Sequence, residues 1–266
     1  MLACPVCAGR LQLDGNSLLC ANQHRHDIAR QRHVNLLGRA APKNADSAEM
    51  LAARDRFLSA GHYRPIEQAL ARRVGRPRRL LEVGAGTGHY LARVLDVLGK
   101  AGADAVGLAT DVSPQAARRC ARAHPRMAAV VADTWAGLPV RSGSVDALLC
   151  VFAPRNPDEF ARVCAPGATL LVVTPNPGHL AGAREALGLI EVEADKLGRL
   201  NRSLSGRFEG VWSQRIRWEM ELDAAALADL VAMGPNAFHE HRAVETAMLV
   251  EADVQLSIFR RPAGQG

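Results

Sequence analysis

Lysine is nearly missing from this chain of 266 residues: only Lys43, Lys100 and Lys196 carry that side chain, so arginine supplies almost all of the positive charge. Aromatic side chains make up only 4%, which argues against an extended aromatic platform for stacking bases. No apolar run approaches the ~20 residues a membrane-crossing helix needs. No charged start and apolar core follow Met1; Cys4-Pro5-Val6-Cys7 come almost at once, so no secretory leader is expected. A cytoplasmic location follows, with six cysteines kept reduced unless a metal holds them. What is present is a hydrophobic content of 48%, enough for a proper core. The length suits one large α/β domain plus a small module. Net charge is +6 with a pI near 9.3. Arg72-Arg73 with Arg76, Arg78 and Arg79 form the densest cluster. It reads either as a solvated helix end or as a set of phosphate contacts to a nucleic acid.

The stretch 80–90, Leu-Leu-Glu-Val-Gly-Ala-Gly-Thr-Gly-His-Tyr, is the most informative in the chain. A short apolar strand runs through the acid Glu82 into a glycine turn and then a helix. Gly84, Gly86 and Gly88 let the backbone approach a ligand where a Cβ would collide. The helix that follows presents unpaired N–H groups to whatever the turn holds. A dinucleotide fingerprint spaces its glycines Gly-x-Gly-x-x-Gly; here they alternate. That spacing, with Glu82 before it, resembles motif I of the class I S-adenosylmethionine-dependent methyltransferases. A second acid should end the next strand and hold ribose hydroxyls, and Asp111 ends the run 105–110. Asp133 ends the run 128–132, where such enzymes contact adenine. The competing reading is a glycine turn of an unrelated α/β protein, with both acids as helix caps.

Near the amino terminus, Cys4-x2-Cys7-x12-Cys20-x3-His24 has the spacing of a closed structural zinc site. His26 and His33 are alternatives for the fourth ligand. Pro5 and Gly15-Asn16 are turn residues, consistent with a small hairpin between the ligand pairs. So small a unit has too little core to fold alone, and metal would supply much of its stability. Cys120, Cys150 and Cys164 lack metal spacing and read as core residues.

Beyond it, Asp46-x-x-Glu49 resembles a capping box opening a helix that ends near Gly61, and a second helix runs to about Val74. Strands are predicted at 80–83, 105–110, 128–132, 145–151 and 168–174, with helices at 89–99, 114–123, 157–164 and 179–189. Strand-like runs at 212–222 and 246–259 flank a helix at 224–233 and suit an antiparallel edge. Alternating strands and helices imply an α/β fold with a mostly parallel, Rossmann-like sheet. The expected division is a zinc-binding module over 1–36, a helical connector over 37–76, and a methyltransferase domain over 77–266.

Taken together, the chain resembles the bacterial 23S ribosomal RNA guanine-N1 methyltransferases, and within them a tylosin-resistance branch. The zinc module and the motif at 80–90 carry the resemblance, with His33-Val-Asn-Leu-Leu37, Asp46-Ser-Ala-Glu-Met50, Ser59-Ala-Gly-His-Tyr63 and Arg122-Ala-His-Pro-Arg126. So do Val151-Phe-Ala-Pro-Arg-Asn-Pro157, Leu170-Leu-Val-Val-Thr-Pro175 with His179-Leu180, and Met233-Gly-Pro235. The resemblance implies a guanine target in a 23S rRNA hairpin loop lining the peptide exit tunnel, and a contribution to resistance against tylosin-type macrolides. It also implies RNA recognition by the zinc module over 1–36, and a homodimer. It places Tyr63, Gly86, Thr87 and His179 around adenosylmethionine, beside Glu82, Gly84, Gly88, Asp111 and Asp133. Phe152, Ala153 and Pro154, after the fourth strand, are expected to line the guanine pocket. Guanine N1 must lose a proton, for which Asp133 and His179 are the candidate acceptors. Two rival readings remain: a small-molecule methyltransferase with the same cofactor fold, and a non-catalytic RNA-binding relative.

Overall fold

A computed structural model of the protein describes residues 1–190, 195–239 and 246–263. At the amino end, strands β1 (Gln12–Asp14) and β2 (Ser17–Leu19) form a hairpin across Gly15-Asn16, and β3 (Arg25–Asp27) pairs with β2. The expected hairpin between the metal-ligand pairs is therefore present. The next strand, β4 (His33–Asn35), leaves this ribbon and joins the edge of the large sheet, parallel to residues 129–131. His33–Asn35 thus belong to the large sheet.

Helix α1 (Ala48–Ser59) starts one residue later than Asp46 suggests. Ser47 is the cap, its Oγ accepting the Met50 N–H at 3.2 Å, while Asp46 turns to pair with Arg54. Helix α2 (Arg64–Arg73) follows Gly61. Then come β5 (Arg79–Val83), α3 (His89–Lys100), β6 (Val106–Asp111), α4 (Pro114–Ala123), β7 (Met127–Val131), β8 (Val145–Val151) and α5 (Pro157–Val163). Strand β9 (Cys164–Pro175) is followed by α6 (Ala181–Leu187), α7 (Lys196–Leu204), β10 (Glu209–Leu222), α8 (Ala224–Ala232) and β11 (Met248–Arg260). Helix α7 was not anticipated. No helix of the described residues is long and apolar enough to cross a membrane.

The large sheet has the order β10-β11-β9-β8-β5-β6-β7-β4. Its inner strands are parallel, and β10 and β11 close one edge as the expected antiparallel pair. Successive residues of each central strand face opposite cores. Leu80, Leu149 and Leu171 pack with Phe57, Ile66, Leu91 and Leu227 on one face. Leu81, Leu148 and Leu170 pack with Phe160, Leu200 and the ribbon residues Cys4, Leu11 and Cys20 on the other. Both faces are covered, which is why these strands read as continuous apolar runs. The chain leaves β5 towards β6 on one side and returns to β8 on the other. The carboxyl ends of β5 and β8 therefore flank a switch point, where ligands of open α/β sheets bind.

Candidate active site and zinc centre

The glycine turn sits at that switch point. Gly84 has φ +59°, and a Cβ there would stand 2.6 Å from the Ala153 Cβ. The turn after β5 thus lies directly against the Phe152–Pro154 segment after β8, so the expected cofactor and guanine sides are in contact. Gly86 has φ +56°, and a Cβ on it would meet Arg54 Nη1 at 2.6 Å. The Gly86 N–H donates to Asp111 Oδ2 at 2.9 Å, and Asp111 Oδ1 accepts the Ser113 N–H at 2.9 Å. Asp111 thus pins the turn, and each oxygen keeps a further lone pair for a hydroxyl. Burial raises its pKa, while the two backbone hydrogen bonds oppose that rise. The Thr87 hydroxyl is buried in the turn with no hydrogen-bond partner. A glycine cradle beside an orphaned hydroxyl fits the polar amino-acid end of adenosylmethionine.

Glu82 lies beneath the turn. It is 1% exposed, and its Oε2 accepts the Leu91 N–H at 3.1 Å, so it caps the first turn of α3 from below. Burial pushes its carboxyl up to about 8. It braces the turn through Oε2.

Tyr63 and His179, 116 positions apart, are brought together: Tyr63 Oη lies 3.3 Å from His179 Nε2, and both are buried. His179 Nδ1 accepts the Asp253 N–H at 3.1 Å, so the ring proton belongs on Nε2. Burial holds the imidazole neutral by pushing its pKa down to about 4. Phe152, at φ +52°, stacks its ring 5.9 Å from that of His179 and 6.1 Å from that of Tyr63. A side chain in left-handed backbone is strained, and such strain clusters at functional sites.

The two candidate proton acceptors differ in what they have left to offer. His179 has given its only lone pair to the Asp253 N–H, so it offers a donor. Asp133 Oδ2 pairs with Arg39, and Asp133 Oδ1 accepts the Trp135 N–H at 2.8 Å. The sequence missed Arg39 and Arg54, whose partners lie 94 and 179 positions away. No local motif signals contacts of that separation.

In the ribbon, the ligand atoms of Cys4, Cys7, Cys20 and His24 all lie within 4.8 Å of one another. Cys7 Sγ–Cys20 Sγ is 3.7 Å, and His24 Nδ1 is 3.6 Å from Cys4 Sγ and 3.4 Å from Cys20 Sγ. A tetrahedral zinc with bonds of about 2.3 Å to sulfur and about 2.0–2.1 Å to nitrogen has edges of roughly these lengths. The four residues therefore fit a zinc ion, with His24 as the fourth ligand. His26 places Nε2 3.6 Å from Cys4 Sγ, as a neighbour of that thiolate, and His33 belongs to β4.

A Rossmann-like sheet with this turn at its switch point, preceded by a Cys3His ribbon, defines a zinc-ribbon methyltransferase. Residues 2–40 match the family described as RlmA, N-terminal, and 80–171 match the methyltransferase domain family. The 23S rRNA (guanine(748)-N(1))-methyltransferase of Streptomyces fradiae is 47% identical, over 90% of this chain and 86% of that protein. A provisionally named 23S rRNA (guanine-N(1)-)-methyltransferase of Micromonospora griseorubida is 43% identical over 97% of both chains. Among solved structures, a chain of the complex between the Haloferax volcanii Trm112 methyltransferase activator and a methyltransferase shares the fold. Its TM-score is 0.57 at 17% identity, over 83% of this chain and 100% of that one. The chain belongs to the family of 23S rRNA (guanine-N1)-methyltransferases.

Proposed function

We propose that this protein methylates N1 of a guanine in 23S rRNA, using S-adenosylmethionine, in a hairpin loop lining the peptide exit tunnel. The reaction would contribute to tylosin-type macrolide resistance. The observation that carries this reading is the 47% identity to the Streptomyces fradiae enzyme across 90% of the chain. A small-molecule methyltransferase would leave the ribbon and its fusion to the sheet without a purpose.

When bound, adenosylmethionine supplies an electrophilic methyl on a sulfonium, an excellent leaving group. The protein's share is then mostly positioning. Thr87 and the Gly84–Gly88 backbone receive the amino-acid end, Asp111 the ribose, and Asp133 the adenine side. Tyr63 and His179 form a neutral, dry wall beside Phe152. Phe152, Ala153 and Pro154 line the guanine pocket, and a stacked guanine must be swung out to reach it, at a cost of a few kcal/mol. With the lone pair of His179 engaged, the N1 proton passes to Asp133, whose oxygens each keep a lone pair, or to water. The ribbon, held by zinc on Cys4, Cys7, Cys20 and His24, grips the RNA. A cytoplasmic homodimer, and a division into ribbon, connector and methyltransferase domain, belong to the same reading.

Mass mapping of 23S rRNA from cells with and without the protein tests it: one guanine fragment should gain 14 mass units, about one CH2. Unchanged guanines would overturn the substrate. Methyl transfer to metabolites but not to rRNA would favour the small-molecule reading. Failure to bind adenosylmethionine would favour the non-catalytic one.

A further inference from the structure

A cation that the sequence did not single out lies against the glycine turn. Arg54, on α1, donates from Nη1 to Asp46 Oδ2 and from Nη2 to the Met233 carbonyl. Its Nη1, Cδ and Cζ stand 2.6, 3.5 and 3.6 Å from the point that a Cβ on Gly86 would occupy. The guanidinium therefore fills the space that the missing side chain leaves. Its anchors are themselves fixed. The Ser113 hydroxyl donates to the Asp46 carbonyl at 2.7 Å, next to the Ser113 N–H that Asp111 holds. Met233 closes α8. The Asp111 and Asp46 carboxyls stand near the turn, so an anionic ligand group needs a cation here. The buried Thr87 hydroxyl, without a partner, is a second sign that a polar ligand completes the turn. A guanidinium carries five N–H donors; Asp46 and Met233 engage two and orient the rest.

Resting on the adenosylmethionine reading above, we propose that Arg54 clamps the carboxylate of the cofactor's amino-acid end, with Asp46 and the Met233 carbonyl holding the guanidinium over Gly86. The carboxylate is the one anionic group of that cofactor, and a planar fork matches it in two hydrogen bonds. Asp46 and Met233 also link connector and α8 to the turn, so the same arginine would tie cofactor loading to the packing of α1.

Calorimetry on the full-length, zinc-loaded protein tests the clamp. The probes are S-adenosylmethionine, its decarboxylated analogue, and 5′-deoxy-5′-methylthioadenosine, which lacks the amino-acid end. The wild type should prefer adenosylmethionine to the decarboxylated analogue by roughly 10- to 100-fold, the range for a charge-assisted pair. Arg54→Ala should bring the two within about threefold while leaving methylthioadenosine affinity unchanged. Arg54→Lys, which keeps the charge and loses the fork, should fall between. A wild type that does not discriminate, or an Arg54→Ala variant that keeps the full preference, overturns the clamp. If Arg54→Ala also loses methylthioadenosine, its fold is damaged and Arg54→Lys decides: an undiminished preference there overturns the clamp. A wild type that binds neither adenosylmethionine nor methylthioadenosine is a different result. It removes the cofactor reading itself.

Discussion

Two buried side chains set opposite pH responses. The Glu82 carboxyl is pushed from 4.5 to about 8 in the folded chain. Between those values the folded state holds a proton that the unfolded chain has released, so stability is lost as pH rises from about 4.5 to about 8. His179 is pushed from 6.5 down to about 4, so there the unfolded chain holds the extra proton. Its contribution is complete above pH 6.5, is lost as pH falls towards 4, and levels off below. Glu82→Gln keeps an oxygen for the Leu91 N–H and cannot ionise. Urea melts should show it more stable than wild type at pH 8 by about 1–3 kcal/mol and nearly equal at pH 5. Parallel curves at both pH values would contradict burial as the cause. The Gly84–Ala153 contact makes a second residue-level test. Gly84→Ala combines a left-handed backbone with a 2.6 Å clash and should cost about 2–4 kcal/mol in a urea melt. Adding Ala153→Gly should recover the part due to the clash and leave the backbone strain. No recovery would mean that the two segments do not press together.

At the scale of elements, the central strands and the helices between them were legible because both depend on local pattern. The strands are apolar runs bounded by turn residues, and Ser113, Asn156 and Asp223 are side-chain caps at α4, α5 and α8. The glycine turn and Asp111 were legible for the same reason, since turn and acid each end a strand. Helix α7 was not: Gly198 interrupts its apolar pattern, and only Leu200 and Leu204 of its residues are buried. Strand β4 was hidden because three residues gain strand character only by pairing with β7. Arg54 and Arg39 were hidden because their partners are brought near by the tertiary fold. The cap of α1 was misplaced by one residue, since Asp and Ser are both good caps and only the fold assigns Asp46 to Arg54. Ser47→Ala should therefore lower stability by about 1 kcal/mol with cofactor affinity unchanged. Asp46→Ala should instead weaken adenosylmethionine binding, by loosening Arg54, more than methylthioadenosine binding. Matched losses for both ligands in Asp46→Ala would return Asp46 to a purely structural role.

At the scale of the molecule, the ribbon is packed onto the sheet and hydrogen-bonded to it. The Ala3 N–H donates to the Pro139 carbonyl at 2.9 Å and the Arg141 N–H to the Met1 carbonyl at 2.8 Å, while Leu2 bridges Val140. Cys4, Leu11 and Cys20 share an apolar cluster with Leu36, Leu108, Leu138 and Val140. Losing a bound zinc would free the thiols of Cys4 and Cys20 inside that cluster, so the damage should reach the sheet and not stay in the ribbon. Cys7→Ser, or a strong chelator, should lower the unfolding midpoint of the whole chain in one transition. A separate low-temperature step followed by an unchanged main transition would show that the ribbon unfolds alone. Tyr63, Ala85 and Tyr90, by contrast, pack in the core on the opposite face of the sheet. Below the new midpoint, Cys7→Ser should therefore weaken 23S rRNA binding at least tenfold, a loss of about 1.4 kcal/mol, and adenosylmethionine binding less than threefold. Equal losses would mean that the ribbon serves only to hold the sheet together. Loss of RNA binding alone gives it a grip of its own.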